Sequence, residues 1–190
     1  MRKKFRKEIR ILGVDDSCFN REKYQNVLVI GAFFRGGSFL DGILSTKVRK
    51  DGDNSTKKLT EVVNKSKWKS QLRAILLDGI ALAGFNVVDI KKLNEKTSIP
   101  VIAVMRKYPD KDKIFSALKK IRQEKKIKLI EKAGKIHKTG KIYFQFAGIS
   151  LKKAEEIISL TTTYAYIPEP VRIAHIVAAG VVNGESSGRA

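Results

Sequence analysis

With 190 residues, 43% of them hydrophobic, the chain can close one domain around a sizeable core, and no apolar run approaches the roughly 18 residues that a membrane-crossing helix needs. Thirty-nine Lys and Arg against nineteen Asp and Glu leave a net charge of +20 and a pI near 10.1, an excess that points to a polyanion, DNA or RNA. A lone Cys18 excludes an internal disulfide, and two separated histidines, His137 and His175, exclude a Cys/His zinc site by spacing.

In chain order, the basic N-terminus "MRKKFRKEIR" is followed by no apolar signal core, so a cytoplasmic protein is expected, with Cys18 as a small buried residue. "IRILGV" (9–14), "NVLVIGAFF" (26–34) and "FLDGILSTKV" (39–48) read as three strands joined by short connections, hence an antiparallel meander. "KDGDNST" breaks that pattern ahead of a helix over 55–66, with Leu59, Val62 and Val63 on one face. "AILLDG" (74–79) is too continuously apolar for a strand with a wet face and suits a buried parallel position. Residues 84–97 read as a helix with Asn86 as N-cap and Asp89 three residues on, as in a capping box. A strand at 100–107, a long basic helix at 110–133 and an additional strand or extended segment at 140–148 follow. Ser150 caps a helix over 151–163, "IPEP" breaks the chain, and a last helix runs over 171–181. With no linker or composition boundary, residues 1–182 are expected to form a single α/β domain, a mixed sheet with helices on both faces, and 183–190 a disordered tail.

The charge is unevenly spread. From Arg106 to Lys141 fourteen basic residues face four acidic ones, so half of the surplus lies in that stretch. Phosphate neutralisation by such a face makes binding steeply salt-dependent. Arg106, Lys107, Lys119 and Lys120 are the candidate contacts there, with Lys67 and Trp68 as a second exposed pair, although Trp68 also suits packing at a helix end. Phe33, Phe34 and Tyr143 carry rings that can stack on an extruded base, although strand aromatics more often fill a core.

Against this basic background the carboxylates stand out. Asp15 and Asp16 close the first strand, Asp78 closes the fourth, and Asp51 and Asp53 precede the first helix. If strands one and four are neighbours, Asp15 and Asp78 meet at one end of the sheet and repel unless a cation lies between them. Oxygen ligands suit Mg²⁺ or Mn²⁺, which promote phosphodiester cleavage. Each acid also has a turn or capping explanation, and Asp89 is better explained as a cap than as a ligand. A phosphoryl-accepting role for Asp15 is weaker, because Ser17 stands where aspartate-based phosphatases place a second Asp.

"GVDDS" (13–17), "LLDGI" (76–80), "IPVIAVMRK" (99–107) and "ISLKKAEEIISLTTTYAYIPEPVRIAH" (149–175) together resemble endonuclease V, and more closely an archaeal branch described as an endonuclease acting on deoxyuridine. The resemblance spans about residues 9–180. It implies a ribonuclease H-like fold and a Mg²⁺-dependent (or Mn²⁺-dependent) endonuclease that cuts DNA near a deaminated base. By position, Asp15 and Asp78 match metal carboxylates of the first and fourth strands, and Lys107 matches a lysine able to meet the scissile phosphate. The family's intervening Glu is absent, with Asp53 as substitute and Asp51 second; Asp16 has no counterpart and is a candidate extra ligand. The Ile-Pro-Gly wedge and the Pro-Gly-His turn of endonuclease V are also missing, replaced by "STKVRKDGD" and "FQFAGIS", so the resemblance carries the metal site further than the lesion pocket. These departures leave a binding protein that lost cleavage as the rival reading.

Overall fold

A computed structural model describes residues 5, 7–19 and 25–186. Among these residues, seven strands form one sheet in the order β3-β2-β1-β4-β7-β9-β8. The three apolar runs at the start of the chain become β1 (Arg10–Asp16), β2 (Asn26–Arg35) and β3 (Phe39–Arg49), paired antiparallel as expected. β4 (Ala74–Asp78) lies parallel to β1, and β7 (Val101–Met105) parallel to β4. Both inner strands are buried on both faces, which is why they read as continuous apolar runs. β9 (Ile142–Ala147) and β8 (His137–Thr139) complete the sheet antiparallel to β7.

Alternation along the strands divides the core into two layers. Leu12, Val14, Ile75, Leu77, Val101 and Ala103 pack against α1 (Ser55–Lys65) and α2 (Ile90–Thr97). Ile11, Ala74, Leu76, Ile102 and Val104 face α5 (Leu151–Thr161) and α6 (Glu169–Asn183). Helices therefore cover both faces of the sheet. The last four residues of the expected tail lie outside the described residues, and its first, Asn183, still belongs to α6.

Two expected helices are corrected. The span expected as a helix over 84–97 begins inside a short hairpin, β5 (Ala81–Leu82) with β6 (Asn86–Val87), before α2 begins. Ala83 and Gly84 adopt positive φ, which no helix interior accepts. Asp89 rather than Asn86 is the N-cap, its Oδ1 accepting from Lys92 N at 3.0 Å, while Asn86 is buried and accepts from Ser55 N. The long basic helix is two helices, α3 (Lys111–Lys120) and α4 (Lys125–Lys132), broken at Arg122, whose φ is 56°. Cys18 is exposed, because it follows the end of β1 and has left the sheet.

Candidate metal centre

The parallel register of β1 and β4 runs from Ile11 opposite Ala74 to Val14 opposite Leu77, so Asp15 and Asp78 stand in the next row, at the C-terminal ends of both strands. Asp15 shares its face with Ile11, and Asp78 shares its face with Ala74 and Leu76, so both carboxylates lie on the side of α5 and α6. Asp16 falls on the opposite side, because successive strand residues alternate.

A third group reaches this pair from α6. A side chain at Gly13 would overlap the backbone of Pro170 and Val171, so the glycine lets the start of α6 lie directly on β1. From Pro170 to His175 the helix advances about 7.5 Å. From Gly13 to Asp15 the strand advances about 6.7 Å. Helix and strand travel together, and His175 arrives beside Asp15, its Nδ1 2.8 Å from Asp15 Oδ2. Asp15, Asp78 and His175 each offer a ligand atom, all within 4.8 Å of one another.

The electrostatics are those of carboxylates in need of cations. Burial, then the neighbouring Asp15, push the Asp78 carboxyl above its ordinary range. Arg106 offsets part of this, its guanidinium donating to Asp78 Oδ2 at 2.9 Å. The hydrogen bond to Asp15 holds the His175 imidazole above its ordinary value. Across the sheet, burial and then Asp15 raise the Asp16 carboxyl to about 7. Asp16 Oδ2 accepts from Ala83 N at 2.9 Å, which ties it to the β5–β6 hairpin. Two carboxylates and an imidazole form a donor set that a divalent cation fits, Mn²⁺ as well as Mg²⁺, since the nitrogen departs from the all-oxygen set expected.

Among the other sequence candidates, Asp53 and Asp51 do not join this group. The Asp53 carboxylate is exposed and accepts from Lys125 Nζ at 2.9 Å, the contact that chiefly holds it below its ordinary range. Asp51 Oδ1 accepts from Phe85 N. Lys67, Lys107, Lys119 and Lys120 are exposed. Trp68 is half-buried, stacked on Phe33 with ring centroids 5.0 Å apart and filling the space over Gly42, so its face is committed to packing. Phe33 and Phe34 are core, and Tyr143 is partly exposed. His175 escaped the sequence reading; the available signal was its place one residue after Ala174, on a helix whose buried Val171, Ala174 and Ala178 recur at spacings of three and four.

A sequence model of the family described as Endonuclease dU matches residues 7–182. A UPF0215 protein of Methanothermobacter thermautotrophicus is 48% identical over 99% of this chain and 95% of its own length. A crystallised protein of Archaeoglobus fulgidus superposes with a TM-score of 0.86 at 40% identity, covering 92% of this chain and 99% of the other. Endonuclease V of Ciona intestinalis, crystallised with a DNA containing an inosine followed by a ribo-adenosine, superposes with a TM-score of 0.55 at 16% identity over 87% of this chain and 82% of that one. That likeness extends to the fold, a ribonuclease H-like mixed sheet. The chain belongs to the Endonuclease dU family, an archaeal branch related to endonuclease V.

Proposed function

We propose that this protein is a metal-dependent endonuclease, folded as a single domain over residues 1–182, that nicks DNA at or near deaminated bases. Deoxyuridine is the favoured lesion and deoxyinosine the second, with RNA as the alternative polymer and a cytoplasmic role in DNA repair. The observation that carries the reading is the convergence of Asp15, Asp78 and His175 within 4.8 Å at the C-terminal ends of two parallel strands. The family description and the DNA-bound endonuclease V neighbour support it, as does the net charge of +20.

Asp15 and Asp78 would hold the metal, with His175 as third ligand or as the group that orients Asp15. A divalent cation bound there supplies charge neutralisation, an activated water and stabilisation of the leaving oxygen. Arg106, now on Asp78, is placed to exchange that carboxylate for a backbone phosphate, and Lys107 follows it on the exposed loop. Asp53, Asp51 and Asp16 would act outside the ligand set, Asp16 by fixing the β5–β6 hairpin.

The second reading, a nucleic-acid-binding protein without cleavage, is favoured by one observation: Asp53 is drawn to Lys125, leaving two carboxylates where the resemblance implies three. Labelled duplexes carrying a single uracil, hypoxanthine or xanthine, incubated with the protein and Mg²⁺ or Mn²⁺, separate the two. Cutting at the lesion, lost in Asp15→Asn and Asp78→Asn, is the expected result. Binding without cutting of any duplex would overturn the nuclease reading, and cutting that survives both substitutions would overturn the site.

A further inference from the structure

Beyond the carboxylates, the same end of the sheet carries exposed rings among cations. β7 ends at Met105, and Arg106, Lys107 and Tyr108 follow it on the surface. Arg106 touches Asp78, and two residues of chain span at most about 7 Å, so Tyr108 begins that close to the residue in contact with the candidate centre.

Tyr108 is 59% exposed. It meets Tyr143 edge to face, ring centroids 5.5 Å apart and planes at 80°. Tyr143 lies opposite Met105 on one side and Lys138 on the other. Lys138 Nζ stands 5.5 Å from the Tyr143 ring centroid. Neither tyrosine belongs to the hydrophobic clusters among the described residues, so the core does not account for them. The segment 106–141, which holds Lys107, Tyr108 and Lys138 and ends two residues before Tyr143, carries ten surplus positive charges.

We propose that Tyr108 and Tyr143, flanked by Lys107 and Lys138, form a stacking platform for an unpaired nucleic-acid strand at the same end of the sheet as the carboxylate centre, with Tyr143 on the opposite face. The inference rests on the nuclease reading for its choice of polymer. Every base has a π-face on which an aromatic ring can stack, at a gain that tolerates any sequence. In a duplex those faces are covered by the neighbouring pairs, so rings of this kind select a strand that is single or locally opened. An edge-to-face pair leaves the faces of the ring that supplies the edge uncovered, and the flanking ammonium groups meet the phosphates between successive bases. An opened strand at this position would run over the end of β7 towards the β8–β9 hairpin.

The test is fluorescence anisotropy in EDTA, where binding is read without cleavage, on an undamaged single strand of about 12 nucleotides and on its duplex. Tyr108→Ala should weaken single-strand binding about tenfold and duplex binding less than twofold, with Tyr108→Phe close to wild type. Lys138→Gln should reduce the slope of log affinity against log salt by about 0.7 for the single strand. Tyr108→Ala binding the single strand as wild type does, or losing both substrates equally, would overturn the platform. The two readings fail separately. Wild-type cutting of a uracil duplex together with an unaffected Tyr108→Ala anisotropy sinks the platform alone. Tenfold weaker single-strand binding in a protein that cuts nothing sinks the nuclease alone.

Discussion

Two polar clusters sit at the same end of the sheet, on opposite faces, and they are built on opposite principles. On the α1 side, Lys126 is 1% exposed, and its Nζ donates to Asp51 O, Gly52 O and Phe85 O at 2.7, 2.8 and 2.6 Å. An ammonium has three protons, and all three are used. Burial lowers its pKa, and the Asp53 carboxylate 3.6 Å away opposes that. Beside it Asn86 accepts from Ser55 N and donates to Arg49 O and Asn54 Oδ1. On the α6 side, Asp15 and Asp78 crowd like charges together, and their partners are the His175 imidazole and an arginine on a surface loop. The satisfied cluster is an anchor, pinning the 49–55 loop and the β5–β6 hairpin to α4. The frustrated cluster crowds like charges whose repulsion a bound cation would relieve, as in a site rather than a scaffold.

That contrast can be broken from either side. The largest effect is expected at Asp15→Asn, which should lower the single-turnover cutting rate about 10⁴-fold. The same change should leave the thermal midpoint unchanged or raise it, since one of two repelling charges is gone; a midpoint that falls with activity intact would reverse the assignment. Lys126→Met should do the opposite, costing about 3–5 kcal/mol of stability in urea unfolding because buried carbonyls lose their donor. A loss below about 1 kcal/mol would mean that the carbonyl cage is not an anchor. His175→Ala should weaken Mn²⁺ binding by roughly 10–100-fold, as loss of a ligand or of a ligand's orienting partner does. The smallest effect is expected at Asp89, the N-cap of α2, which also pairs with Lys132 at 2.6 Å. Asp89→Ala should cost about 1–2 kcal/mol.

Asp89 also sets a direction with pH. Burial pushes its carboxyl up, but Lys132 and the Lys92 N–H outweigh burial and hold it below the ordinary value of 3.8. Its folded-state pKa is therefore lower than its unfolded one, so its stabilisation is present above pH 3.8 and is lost as the pH falls through the lower folded value. Melting curves of the wild type and Asp89→Asn should converge on acidification; curves that stay parallel below that pH would count against the ion pair.

What was legible in the sequence follows from the range of each interaction. β1 and β4 were readable as apolar runs ending in Asp, and a period of two with parallel pairing suffices to bring Asp15 and Asp78 together. His175 was not readable, because its partner is 160 residues away and the contact depends on α6 lying flat on Gly13. Asp53 resembled a ligand by its place before α1, yet its local charge came from Lys125 on a distant helix. The hairpin at 81–87 mimicked a helix because Asn86 and Asp89 have the spacing of a capping box, whereas Asn86 spends its side chain on the 49–55 loop. The break between α3 and α4 likewise has a tertiary component, since Lys126 is fixed by carbonyls outside its own helix.

The central claim is that the frustrated cluster is a metal centre. Mn²⁺ titration followed by electron paramagnetic resonance, on the wild type and on Asp78→Asn, tests it most directly. Bound Mn²⁺ in the wild type that is lost in Asp78→Asn is the predicted result. Equal Mn²⁺ binding by both proteins, or none by the wild type at millimolar metal, would contradict it.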